Sequence, residues 1–245
     1  MRERERRPEH PHRRSTAARD QDEHVVRDDP AGDVPGMPVP AEQPAGRVLD
    51  ILLSLVLLIV LLLPMIVIAL AIVASDGGPV LFRQPRVGRG GRVFSMLKFR
   101  TMRAGGDDAD LRRLISRELS GEDTVEDGSS KLDSRARVSP LGALLRRTSI
   151  DKLPQLWNVL RGDMAIVGPR PCLVWEAEMF PREYWVRFAV RPGLTGLWQV
   201  SGRSRLGTLD MLRLDAIYVR NRSLRMDLLI LVRTVPVLLR GDGAR

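Results

Sequence analysis

The chain has 245 residues, a formal net charge of +9, three histidines and one cysteine. The histidines, His10, His12 and His24, all fall in the first tenth of the chain. Unless that segment folds back, this excludes Ser-His-Asp and Cys-His catalysis and any histidine metal site downstream. The lone Cys172 rules out an internal disulfide, fits a reducing compartment and reads as a small buried hydrophobe.

Residues 1–46 carry 8 Arg against 10 Asp and Glu, with much Pro and Gly and almost no large apolar side chain. Such a segment cannot bury enough surface to offset the entropy of ordering, so a disordered tail is expected. It lacks the apolar stretch of a signal peptide. The remaining chain holds 31 basic against 20 acidic residues. A domain this cationic suits nucleic acid, anionic lipid or phosphorylated substrates, and charge alone does not choose among them.

Residues 47–76 form the membrane element. From Ile51 to Ala74 no side chain is charged and only Ser54 is polar. A continuous helix over this run reaches roughly 36 Å, more than a bilayer core needs. Pro64 divides it into arms only about 20 and 15 Å long, neither of which spans alone. A kinked span and a re-entrant helix that returns to the same face both fit. Arg83, Arg86, Arg89, Arg92, Lys98 and Arg100 follow closely and put the domain of residues 77–245 on the cytoplasmic side.

PVLFRQPRVGRGGRVFSMLKFRTM reads as short strands around a glycine turn, since the GRGG is followed by no GK[ST]. Residues 103–135 are polar, with one amphipathic piece at Leu111–Leu119. Asp107, Asp108 and Asp110 do not have the spacing of an EF-hand. The segment 139–160 reads as helical, broken near Thr148–Asp151, with a restart favoured by Pro154 and a C-cap at Gly162. Asp151 is then at a helix N-terminus ringed by Arg146, Arg147 and Lys152. It is either a cap or a nucleophile toward phosphorus.

AIVGPRP reads as a short strand and a rigid turn that presents Arg170. In VWEAEMFPREYWVRFAV the aromatics sit near helical spacing, which suits a core or an interfacial face. RPGLTGLWQVSGRS reads as turns. SLRMDLLILVRTVPVLLR reads as an amphipathic helix lying on or against a membrane surface. The fold class expected is mixed α/β, mainly helical with short strands, carrying the membrane helix and interfacial amphipathic helices.

KFRTM (98–102), RRTSIDKLPQLWNVLRGDMAIVGPRP (146–171), RPGLTGLWQVSGRS (191–204) and DAIYVRNRSL with its downstream RTVPVLL resemble the bacterial sugar transferases. More narrowly, the chain is similar to the small monotopic phosphoglycosyl transferases. The similarity runs from about Arg47 to the C-terminus. It implies a re-entrant helix broken at Pro64, at the cytoplasmic face of the inner membrane, with Mg²⁺ as cofactor. The implied reaction moves a sugar-1-phosphate from a nucleoside diphosphate sugar, typically a UDP-sugar, to undecaprenyl phosphate. Such a reaction starts exopolysaccharide or other glycan assembly.

The resemblance further implies that Asp151 is nucleophile and metal contact, with Lys152 beside it in the catalytic pair. Lys98, Arg100, Arg147, Gln155, Asn158, Arg170, Arg191 and Asp215 match its substrate-binding positions. The partners implied are the nucleotide sugar, polyprenyl phosphate and the lipid bilayer, not nucleic acid, and a homo-oligomer is compatible.

Two departures stand out. The Asp–Glu pair of the family is Asp–Lys here, so Lys152 is expected to act as a phosphate cation, partly replacing neutralisation by metal. Leu63 replaces a serine before the break proline, removing one partner for the backbone groups freed there. Two rivals remain at this stage. One is a catalytically impaired scaffold of a glycan-assembly complex, suggested by Lys152. The other is a membrane-anchored nucleic-acid binder, for which neither a reading helix nor a stacking platform is evident.

Overall fold

The apolar run folds as two helices rather than one. In the computed structural model, which describes residues 44–102, 108–122, 124, 138–202 and 206–240, α1 spans Pro44–Val60 and α2 spans Leu62–Asp76. The two are bent by 61°. Pro64 is the cause. It has no N–H for the carbonyl of Val60, and its ring pushes that carbonyl aside. The chain turns at Leu61 while Leu61 N to Leu57 O and Met65 N to Leu61 O keep helical bonds of 2.9 Å. The break therefore falls three residues before the proline, which itself lies in the first turn of α2.

By helical rise the arms are about 26 and 23 Å long, longer than the apolar stretch alone suggested. No single described helix is long and apolar enough to cross a membrane, but the bent pair has the length and composition together. Ile51, Leu55, Ile59, Leu63, Ile66 and Leu70 are all exposed along it. Most of the expected tail lies outside the described residues. Residues 44–46, assigned to it from the sequence, open α1 instead.

Next comes an antiparallel hairpin, β1 (Leu81–Val87) and β2 (Val93–Phe99), with Leu81 opposite Phe99 and Val87 opposite Val93. The GRGG segment turns it, as expected. The amphipathic piece forms α3 (Ala109–Leu119). Ser139 starts α4 (Pro140–Arg147), its hydroxyl accepting from Gly142 N at 3.0 Å with Pro140 at the first helical position. A 3₁₀ turn, Ile150–Lys152, leads into α5 (Gln155–Arg161), which ends at Gly162 in a left-handed cap. The expected break and both helical halves are present.

β3 (Ala165–Val167) pairs in parallel with β4 (Gly193–Thr195). Between them lie α6 (Val174–Met179) and a 3₁₀ stretch, Arg182–Ala189. α7 (Leu197–Ser201), α8 (Thr208–Arg220) and α9 (Leu224–Arg240) complete the order. The segment read as turns thus holds a strand and a helix. A three-residue strand is too short to show alternation. Its pairing depends on two glycines, because a Cβ on Gly193 would lie 2.1 Å from the amide nitrogen of Gly168.

The main core joins Leu156, Val159, Ile166, Val186, Tyr218 and Ile230, and Leu53, Leu57 and Leu58 of α1 pack on it. A second cluster seats α2: Ile72, fully buried, meets Phe99 and Leu145, with Ile150 and Leu153 at its edge. Burying a side chain of that size contributes about 1.5–3 kcal/mol. Polar contacts fix α1 as well. Arg47 donates to the carbonyls of Val159 (2.7 Å) and Leu160 (3.0 Å), and Asp50 accepts from the amide of Ile166 at 2.9 Å. Both arms of the bent pair therefore rest on the segment that carries Asp151.

Candidate active site

Asp151 enters through a strained residue. Ser149, at φ 58°, is the one non-glycine with positive φ among the described residues. A serine there costs on the order of 1 kcal/mol, and it lets the chain leave α4 and begin the 3₁₀ turn at once. Asp151 is buried in that turn, flanked by Ile150 and Leu153 packed under α2. Neither the turn nor α5 has a side-chain cap. Asp151 lies one turn ahead of α5 rather than at its cap position, and capping does not explain it. Its Oδ1 lies 3.3 Å from the Lys152 ammonium, whose side chain is 39% exposed.

Lys98 comes to the same place from β2. Its ammonium lies 4.8 Å from the centre of the Phe82 ring, across the hairpin. Burial lowers its pKa to about 8, nearby Arg86, Arg146 and Lys152 add to that, and Asp151 opposes it. One carboxylate thus faces Lys152 and Lys98, and Arg86 and Arg146 act on Lys98. Gln155, buried, opens α5 four residues after Asp151. Of the two arginines that end α4, Arg146 turns inward, its Nη1 3.6 Å from Met102 Sδ, while Arg147 is exposed. The sequence set both arginines around Asp151 and the resemblance singled out Arg147; it is Arg146 whose charge bears on Lys98.

Other expected contacts are placed differently. Asn158 is fully buried. Its Oδ1 accepts from Leu97 N at 3.0 Å, and its Nδ2 donates to Ser95 O (2.8 Å) and Asp163 Oδ2 (3.1 Å). It ties α5 to β2. Arg191 donates to Gly162 O at 2.7 Å. That is the far end of α5, roughly 16 Å from Asp151 by helical rise. Arg100 packs its guanidinium against Gly78, just beyond α2, and donates to Met102 O at 3.4 Å.

A second charged group lies deeper. Arg170, on the turn after β3, stacks over Trp198 with its guanidinium carbon 5.9 Å from the ring centre. Its carbonyl accepts from Arg187 Nη2 at 2.7 Å, and the same nitrogen meets Asp215 Oδ2 at 2.7 Å. Arg187 and Asp215 are each 1% exposed. Burial raises Asp215 to about 6, with Arg187 pulling the other way. Arg86 lies beside this pair, 3.6 Å from Glu176 and donating to Pro171 O at 3.0 Å, and burial lowers its pKa to about 10. Arg86 acts electrostatically with both Arg170 and Lys98, which couples the two groups.

The sequence reading passed over Arg187 and Glu176. The available signal was an arginine set inside the apolar run WVRFAV and a glutamate in VWEAEM. An open apolar groove on α9, lined by Leu224, Arg225, Leu228, Leu229 and Val232, includes none of these groups.

The residues present do not fit a divalent ion held by the protein. Among the described residues Asp151 is the one carboxylate at the turn, and a lysine already meets its oxygen. Among the described residues no three or more His, Cys, Asp or Glu side chains gather as metal ligands. Hard cations such as Mg²⁺ need carboxylate or phosphate oxygens, which the lysines beside Asp151 do not supply.

Comparison with known proteins shows the family. The profile described as bacterial sugar transferase matches residues 41–241. The chain is 41% identical over 181 residues to the UDP-galactose-lipid carrier transferase of Erwinia amylovora, covering 74% of this chain and 38% of that one. It is 42% identical over 220 residues to the UDP-glucose:undecaprenyl-phosphate glucose-1-phosphate transferase of Caulobacter vibrioides, covering 86% and 76%. It is 38% identical over 204 residues to the exopolysaccharide production protein ExoY of Rhizobium meliloti, covering 82% and 88%. The chain spans well under half of the Erwinia protein and most of the other two.

Proposed function

Because this chain belongs to the bacterial sugar transferase family, we propose that it transfers a sugar-1-phosphate from a UDP-sugar to undecaprenyl phosphate through a covalent intermediate on Asp151. The proposed setting is the cytoplasmic face of the inner membrane, with the bent pair α1–α2 inserted from one side and the stripe of α9 at the lipid surface. The relatives' names include UDP-galactose, UDP-glucose and undecaprenyl phosphate, which supports that donor and acceptor class. The product would start an exopolysaccharide or another lipid-linked glycan.

The observation that carries the mechanism is the Asp151 turn: a buried carboxylate met by Lys152 and interacting electrostatically with Lys98 from β2. A carboxylate oxygen attacks the sugar-bearing phosphorus of the donor. The bond from that phosphorus to the bridging oxygen breaks, and the electron pair leaves with the uridine monophosphate. Lys98 and Lys152 hold the charge that develops on the departing phosphate, in a setting where burial strengthens their field. The sugar phosphate remains as an acyl-phosphate on Asp151. A phosphate oxygen of the polyprenyl phosphate then attacks the same phosphorus, restoring the carboxylate and giving a polyprenyl diphosphate sugar. Arg170, on its braced turn, extends the cationic tract along which two phosphorylated substrates are held.

The test is to incubate the purified protein with UDP-sugars labelled in the sugar, without lipid acceptor, and map the label. Label on Asp151 together with released UMP is the expected result. Turnover by a folded Asp151→Asn protein would remove the covalent step. A scaffold reading predicts no consumption of any UDP-sugar, with or without acceptor.

A further inference from the structure

We propose that Lys152 is a resident cation for the donor diphosphate, so that this chain binds and opens a nucleoside diphosphate sugar without a divalent ion. The inference rests on the assignment of Asp151 given above and concerns what meets the phosphate charge there. Lys152 Nζ sits 3.3 Å from Asp151 Oδ1. Lys98, on β2, interacts electrostatically with Asp151, and Arg86 and Arg146 act in turn on Lys98. A divalent ion would enter as a further cation, next to a carboxylate already facing an ammonium. A diphosphate enters with the opposite sign, and the existing field favours it. Mg²⁺ is commonly held by one or two carboxylates plus substrate phosphates. Here, among the described residues, the one carboxylate at the turn is the one that must attack.

The geometry also gives Lys152 a second task. Without donor its ammonium covers one oxygen of Asp151. A bound diphosphate offers it a stronger partner, and the lysine stem is long and partly solvent-exposed, so it can swing to the phosphates. That exchange uncovers the attacking oxygen only when a donor is present. In the first step the new bond is Asp151 oxygen to the sugar-bearing phosphorus. The bond broken is that phosphorus to the bridging oxygen, and the ammonium ends beside the nucleoside monophosphate.

The experiment is calorimetric titration of the full chain with UDP, in EDTA and in Mg²⁺, with manganese binding followed by electron paramagnetic resonance. The wild-type affinity for UDP is expected to agree within about threefold between the two buffers. Lys152→Glu is expected to lose about tenfold or more in EDTA, to regain it in Mg²⁺, and to bind manganese that the wild type does not. Lys152→Arg keeps the charge and should keep metal-free binding. A wild-type affinity that collapses in EDTA by more than that margin overturns the inference and leaves the assignment of Asp151 intact. No UDP binding in either buffer overturns both.

Discussion

The helical run from Ile150 to Arg161 has two ends that use positive charge in opposite ways. At the C-terminal end Arg47 and Arg191 are committed to main-chain oxygens, those of Val159, Leu160 and Gly162. They satisfy carbonyls that a helix end leaves without partners, and they suit its negative pole. At the N-terminal end Lys152 meets a side-chain carboxylate, Lys98 interacts with it electrostatically, and Arg146 acts on Lys98. Cations bound to carbonyls hold a fold together. Cations crowded on one carboxylate raise the free energy of the empty protein and lower it when phosphate arrives. The contrast teaches that an arginine's place on the helix, more than its proximity in sequence to a motif, separates anchoring from chemistry.

Substitutions at the two ends should therefore fail in different assays. Asp151→Asn is the most severe at the reactive end: turnover should fall by on the order of 10⁴-fold or more. The melting temperature should stay nearly unchanged, because no cap is lost, and scanning calorimetry beside a UMP-release assay checks both. Lys98→Met comes next, with a loss of kcat/KM on the order of 10²-fold. Stability should hold or rise, since a buried charge is removed. Loss of folding in Lys98→Met would contradict the division between the ends.

Acidity probes the same lysine without mutation. Its pKa is lowered to about 8 in the folded chain. Below that value the ammonium is charged, and above it the free enzyme loses the cation, so kcat/KM should decline by up to about tenfold per pH unit past 8. Stability runs the other way. Between about 8 and the ordinary lysine value the unfolded chain binds the extra proton, so Lys98's contribution to stability rises with pH. Lys98→Arg should extend the activity plateau upward.

The mildest effect on turnover belongs to the far end. Arg191→Met should change kcat/KM only a few-fold while costing about 1–2 kcal/mol in denaturant unfolding, the loss of a charged donor to a half-exposed carbonyl. A large drop in kcat/KM with intact stability would show that Arg191 reaches the donor.

Much of this was legible in the sequence because local chemistry set it. Pro64 announces a break, Ser139–Pro140 a helix start and Gly162 a helix end, each through the backbone group that residue type supplies or lacks. The Asp151 turn was legible as a carboxylate among cations. What sequence could not give was which way side chains face across elements. Arg146 and Arg147 are adjacent and alike, and only the packing of α4 turns one inward. Asn158 looks like a ligand contact until β2 is laid beside it. Arg187 and Asp215 lie 28 residues apart and become a pair only once the 3₁₀ stretch and α8 meet. The strand β4 was missed because its pairing depends on two glycines in contact rather than on an apolar pattern.

The joint between α1 and the domain has one more consequence. Arg47 and Asp50 reach across it to carbonyls and an amide, not to side chains, so the receiving surface is the same whatever residues stand on it. Val159, Leu160 and Ile166 can be replaced by other apolar residues without removing a single hydrogen bond of that joint. A chain built this way can change its reactive face over evolutionary time while keeping its seating, much as a tool holder accepts different bits. Chimeras offer a direct expression of the idea. Exchanging α1 between distant relatives that retain the arginine and aspartate should give folded, docked proteins even where the surfaces beneath have diverged.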